Sequence, residues 1–157
     1  MLAVIDKATL PAIDGWFTTD PDRPALLGSR CGSCGTIAFP REATFCRNPG
    51  CRGREFEEVE LSRRGTVWSF TDAGYQPPPP YVPVTDPFEP FTIAAVELAA
   101  EKMVVLGQMV DGIGVDDLHA GMEVELTLGT LYEDDEHRYL MWKWRPVTEP
   151  TTPEGTR

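Results

Sequence analysis

No apolar run in this 157-residue chain approaches the roughly 20 residues needed to cross a bilayer. The first run, Leu2-Ala3-Val4-Ile5, stops at Asp6, too short for a signal-peptide core. The reading therefore expects neither a membrane span nor a leader, and a cytoplasmic location. Basic side chains are scarce: the formal charge is −11, and Lys102 is the only base between residues 65 and 137. Binding a strand of phosphates rewards a basic surface, so a nucleic-acid partner is not expected. Catalytic residue types are also thin. Histidine occurs only at His119 and His137, and there is no Gly-x-Ser-x-Gly, whereas nucleophilic catalysis needs an activated nucleophile beside a base. His119 reads as part of a surface turn and His137 as a solvated hairpin tip. The acidic run at 133–136 lacks the glycine and spacing of a calcium loop. No catalytic residue is nominated.

Only four cysteines are present, and their spacing is informative. Cys31-Gly32-Ser33-Cys34 is followed after eleven residues by Cys46, with Cys51 beyond Asn48-Pro49-Gly50. Two close pairs on either side of a hairpin-length span suit a tetrahedral four-thiolate metal site, each turn presenting two sulfurs to one ion. Cys31, Cys34, Cys46 and Cys51 are thus the expected ligands of one structural zinc. Iron in a rubredoxin-like site is the alternative; a thioredoxin-type redox pair would leave Cys46 and Cys51 unexplained. The surrounding segment, residues 23–60, carries few large apolar side chains and cannot fold by burial alone.

The rest of the chain divides by pattern. Residues 1–22 place Leu10, Ile13, Trp16 and Phe17 at spacings that suit one face of a short helix, read as a helical docking arm, with core packing as the competing reading. From residue 61 to 147 short β-rich stretches alternate with turns: Thr66–Thr71, Phe91–Leu98, Met103–Val110, Met122–Leu128 and Tyr139–Arg145. Five strands, with one helical turn expected near Val115–Leu118 between the third and fourth, predict the five-stranded OB-fold barrel. Trp142 and Trp144 are expected in its core or at an interface, and Trp68 and Phe70 in its core. Residues 148–157, rich in Pro, Thr and Glu, are expected to form a flexible tail. The fold class is accordingly mainly β, with an N-terminal helical arm, a zinc ribbon and a C-terminal barrel.

One connection is unusual. Residues 76–90, between the first two barrel strands, hold seven of the fifteen prolines and no glycine. Proline pre-sets an extended path, so such a loop loses little entropy when pinned against something. A loop of this length in a compact domain points to a ligand or partner contact, or else to a stiff cover over the barrel.

Cys31 to Gly35, Phe39-Pro40-Arg41, the second cysteine pair, Leu61 to Thr71 and Gly121-Met122-Glu123-Val124 occur in an order that resembles the DUF35 family. Those proteins join a rubredoxin-like zinc ribbon to an acyl-CoA-associated OB-fold. The wider second knuckle departs from the family's usual ribbon turn. The resemblance, over roughly residues 10–147, implies a non-catalytic partner of a thiolase-superfamily enzyme acting on CoA thioesters. The implied partner is a thiolase or a thiolase-like aldolase of steroid side-chain degradation, within lipid metabolism, in a two-plus-two heterotetramer; a hydratase is a further possible partner. In that role Arg41, Arg47, Arg52, Arg54, Arg63 and Arg64 are the candidates for holding CoA phosphates. Trp16, Phe17, Tyr75, Pro78, Pro79, Tyr81 and Phe88 are the candidates for contact with the partner or the acyl group. Two other readings stand beside it: a single-stranded nucleic-acid-binding protein, and an independent acyl-CoA-binding protein.

Overall fold

A computed structural model describes residues 6–148. Alternating burial builds a barrel from five strands: β5 (Arg64–Ala73), β6 (Phe91–Leu98), β7 (Met103–Met109), β8 (Glu123–Glu133) and β9 (His137–Pro146). Hydrogen bonding runs β5-β6-β7-β9-β8 and back to β5, antiparallel except for β7–β9, so the five strands close into a barrel. This is the OB-fold order, and a single 3₁₀ turn at Val115–Asp117 lies between β7 and β8 where the helical turn was expected. β8 runs five residues beyond the expected Leu128 because its hairpin with β9 continues to Glu133.

The core follows from the register. Val67, Val96 and Val105 face one another across β5, β6 and β7, all inside the barrel. Trp144 fills the barrel beside Met109 and Leu126, its two cross-strand partners, and is fully buried. Gly107 makes this possible: a Cβ there would stand 2.7 Å from Trp144 Nε1 and 3.0 Å from Trp142 Nε1. Trp142 is also buried, and its Nε1 donates to the Leu106 carbonyl at 2.9 Å.

Before the barrel lie β1 (Ala8–Pro11) and a three-stranded antiparallel sheet of β2 (Leu27–Cys31), β3 (Ile37–Ala38) and β4 (Phe56–Glu60), in the order β3-β2-β4. The expected N-terminal helix is not there. Residues 8–11 pair instead as a parallel strand with His137–Leu140 of β9, and Ala12 N–H continues the ladder to Leu140. That stretch of β9 extends past β7 and offers unpaired backbone, while Gly15, at φ +78°, turns the chain away from a helical path. Phe17 is buried and Trp16 half-buried, so the reading of this set as core, rather than as a free arm, describes both side chains.

Phe17, Leu26 and Leu61 share one core cluster with the barrel residues. Trp16, Phe17 and Phe39 pack on Trp142 with ring centroids 5.7 to 6.3 Å apart, which welds the small sheet to the barrel. Ser62 adds a polar tie, its N–H and hydroxyl both donating to Glu101 Oε1 at 2.6 and 2.8 Å. The proposed tail lies, apart from Thr148, outside the described residues.

Candidate functional site

Cys31 ends β2, and the chain reverses at once through Cys34, whose knuckle closes with the Gly35 N–H donating to the Cys31 carbonyl at 2.9 Å. Cys46 and Cys51 form the facing knuckle, held by Cys46 N–H to the Gly53 carbonyl at 3.0 Å and Cys51 N–H to the Asn48 carbonyl at 2.9 Å. The wider second turn is filled from within: Asn48 Oδ1 accepts from Gly50 N–H at 3.0 Å.

All four sulfurs lie within 4.8 Å of one another, with Cys34–Cys46 at 3.5 Å and Cys31–Cys51 at 3.8 Å. A tetrahedral ion with metal–sulfur bonds of about 2.3 Å requires sulfur separations of about 3.8 Å. The residues therefore fit one ion with a closed shell of four thiolates. Backbone N–H groups point at three of the sulfurs two residues upstream: Ser33 at Cys31 and Asn48 at Cys46, both 3.4 Å, and Gly53 at Cys51, 3.3 Å. Such donors stabilise thiolate charge and aim each sulfur. Cys34 Sγ lies 3.1 Å from the Thr36 hydroxyl.

The titration of the set divides in two. The Thr36 hydroxyl, then its backbone N–H, lowers Cys34 to about 6, and the N–H groups of Cys34 and Ser33 lower Cys31. The N–H of Asn48 pulls Cys46 down, but desolvation and the neighbouring sulfurs outweigh it and push that thiol up to about 12. Cys51 is raised for the same reasons, against the pull of Gly53 N–H. Four negative charges at this spacing repel one another unless a cation sits among them. A bound zinc supplies that charge and cross-links two distant turns of a segment with little core of its own.

The candidate arginines separate into engaged and available groups. Arg41 pairs with Glu58, and Arg47 pairs with Glu42 at 2.7 Å while donating to the carbonyls of Phe39 and Pro40. Arg54 lies over the exposed Phe45 ring at 4.8 Å, and Arg52 is exposed. Arg63 and Arg64 meet at a cleft of about 650 Å³ beside Pro24, where the ribbon joins the barrel, and Arg145 of β9 joins them there. Arg64 and Arg145 share Glu125 at 3.6 and 2.8 Å. Arg145 was missed by sequence reasoning because only the β8–β9 register, which sets it opposite Glu125, brings it to the cleft.

The aromatic candidates also divide. Tyr81 and Phe88 pack with Phe91 at 6.1 to 6.3 Å, pinning the Pro-rich loop onto the start of β6, and burial raises the Tyr81 hydroxyl. Tyr75, Pro78 and Pro79 remain exposed, Tyr75 at 77%. Phe17 is spent on the core and has no surface to offer. Trp68, expected in the core, is 64% exposed, because alternation from the inward Val67 points it outward, and the β5 bulge that follows sets Ser69 outward beside it. His119 is exposed, and His137 sits at the hairpin tip 3.7 Å from Asp134. No helix among the described residues is long and apolar enough to cross a membrane.

Known proteins share this arrangement of ribbon and barrel. The rubredoxin-like zinc ribbon domain of ChsH2 matches residues 18–57, and the C-terminal OB-fold domain of ChsH2 matches residues 58–129. A DUF35 domain-containing scaffold protein of Methanocaldococcus jannaschii is 33% identical over 80% of this chain and 84% of its own length. The benzoylsuccinyl-CoA thiolase subunit BbsA of Geobacter metallireducens is 36% identical over 82% and 79%. Among solved structures, a chain of the Ltp2-ChsH2(DUF35) aldolase superposes with a TM-score of 0.62 at 30% identity, covering 87% of this chain and 98% of that one. With both halves matched in order and relatives covered over most of their length, the chain belongs to the DUF35 family.

Proposed function

We propose that this protein is a non-catalytic accessory subunit of a thiolase-superfamily enzyme that forms or cleaves a carbon–carbon bond beside a CoA thioester. The observation that carries the reading is that relatives named as a thiolase subunit and as part of an aldolase align with this chain over 79% and 98% of their own length. The chemistry of the chain is compatible with support: its thiols converge on a closed metal site, which leaves no coordination position for a substrate. In the cleft, Arg63, with Arg64 and Arg145 that now share Glu125, would hold the phosphates of CoA once Glu125 yields them, so the subunit forms part of the thioester entrance. A dimeric enzyme with one such subunit per protomer makes a two-plus-two assembly. Steroid side-chain CoA thioesters, the class that the resemblance of the sequence implies, are the proposed substrates.

The test is co-expression with the thiolase-superfamily enzymes of the same genome, with mass measured by light scattering and turnover of a CoA thioester followed. The expected result is a stoichiometric complex, no turnover by the chain alone and a faster or more stable partner enzyme. Full activity of every such enzyme without this chain, and no complex with any, refutes the reading.

A further inference from the structure

On the outer face of β5, β6 and β7, large exposed apolar side chains stand among polar ones where a solvated barrel would be polar throughout. Register sets Ser69, Ala95 and Leu106 in one outward row, Thr71, Ile93 and Gln108 in the next, and Thr66, Glu97 and Val104 in a third. The bulge adds Trp68 beside Ser69. Trp68 and Leu106 are each 64% exposed and Val104 is 45% exposed. The face runs on into an apolar groove of about 350 Å³ lined by Phe91, Ile93, Leu106, Leu131 and Met141. Outward strand positions facing water alternate as polar residues, and a contiguous exposed apolar patch marks a surface that is covered in use.

Charge identifies what covers it. Glu97 stands on the face itself, and Glu89 and Asp111 line the adjoining cleft of about 430 Å³. The one base lining that cleft, Lys143, has a side chain only 9% exposed and is engaged by Asp111 at 3.3 Å. From β5 through β8 the only Lys or Arg residues are Arg64, paired with Glu123 and Glu125 of β8, and Lys102. A second copy of the chain would set acid against acid across this border, and a nucleic acid would be repelled by it. A protein surface with an apolar centre and a border of Lys and Arg complements it in both respects.

We propose that this face is the docking surface for the thiolase-like enzyme, with Trp68 and Leu106 as its central anchors and Glu97 as a border contact. The proposal rests on the accessory-subunit reading and adds which surface the enzyme occupies and what its own patch is made of. Large side chains at the centre of an interface carry most of its affinity, and border charges tune its rate and salt dependence.

The experiment titrates the enzyme found in the co-expression test with the full chain and its variants. Trp68→Glu and Leu106→Glu change exposed positions, so each variant is first checked for zinc content and for an unchanged denaturation midpoint. Each is expected to weaken binding about 100-fold, and Glu97→Lys to weaken it about 10-fold with a shallower salt dependence. Phe45→Glu, at the exposed ribbon tip, is expected to stay within about 3-fold of the parent. Wild-type affinity in Leu106→Glu, with the parent chain binding normally, overturns this surface while leaving the accessory role intact. A parent chain that binds no such enzyme removes the accessory role and this surface together. Sedimentation showing a homodimer that Leu106→Glu disperses assigns the face to a second copy, and protection of β6–β7 amides by a CoA thioester alone assigns it to a small molecule. Either result overturns the proposal.

Discussion

Gly53 and Cys31 stand so close that a methyl group on Gly53 would lie 2.6 Å from the Cys31 sulfur. The same residue points its N–H at Cys51 Sγ, 3.3 Å away. A sulfur bound to a metal cannot retreat, so Gly53→Ala must push a ligand or the turn. Loss of supporting contacts around a metal site typically lowers affinity about 10–100-fold. Competition for zinc against a chromophoric chelator should show a fall of that size, whereas Gly74→Ala, with nothing within 4 Å of the added carbon, should show none.

Removing the ion tests how far the ribbon depends on it. Structural zinc contributes about 10–16 kcal/mol of apparent binding free energy in finger peptides. A strong chelator is expected to strip hydrogen-exchange protection from β2, β3 and β4 while the closed barrel keeps it. Full protection of all three ribbon strands in metal-free protein would contradict the structural role.

Leu106 and Gly107 are neighbours on opposite faces of β7, and they should respond in opposite ways to substitution. Gly107→Ala drives a methyl into the Trp144 and Trp142 rings and should cost about 1–3 kcal/mol by overpacking. Leu106→Glu, at an exposed position, should stay within about 0.5 kcal/mol. Urea unfolding of the two variants measures both, and equal costs would mean that the barrel face has been assigned the wrong way round.

The β8–β9 tip should loosen in acid. Arg138, then Lys7, holds Glu133 below its ordinary value, and the N–H groups of His137 and Glu136, with the Tyr139 hydroxyl, do the same for Asp134. Groups lowered on folding contribute fully above their unfolded values and lose that contribution as pH falls through the folded ones. The protection factor of the His137 amide, which donates to Asp134 Oδ1 at 2.6 Å, should fall as pH drops below about 4, once exchange is corrected for its intrinsic pH dependence. Lys7, tied to Glu133 at 3.1 Å, should be released over the same range.

The arginine cleft makes a kinetic prediction. In the reconstituted complex, Arg63→Glu combined with Arg145→Glu should raise KM for the CoA thioester about 10-fold or more, from loss of charge-assisted contacts, and leave kcat near the parent's. The effect should shrink with a thioester lacking the 3′-phosphate. An unchanged KM would place the nucleotide elsewhere.

The metal site was legible because its ligands are local: Cys31 and Cys34 share one turn, Cys46 and Cys51 another, and spacing alone brings each pair together. The barrel was legible because Val67, Val96 and Val105 repeat a two-residue alternation that survives in the register. Trp68 escaped that logic. Alternation from Val67 places it outward, but its size suggested a core, and the bulge then shifts the phase so that Phe70 turns in. The arm was misread for a different reason. Its helical spacing is real, yet Leu10 finds a backbone partner in Tyr139, a residue no local pattern connects to it. Arg145 joins Arg63 and Arg64 only through strand pairing, which no arginine reveals on its own.

The pairing of β1 with β9 joins nearly the first described residues to nearly the last. During synthesis Ala8–Pro11 emerge before His137–Leu140 and must wait for them, and β8 likewise waits for the strand that seals the barrel. Contacts of such long sequence separation form late. Closure is therefore gated by translation of β9: a nascent chain stalled short of it holds an open sheet and an unpaired β1, and only a chain that includes β9 presents a closed wall to another protein.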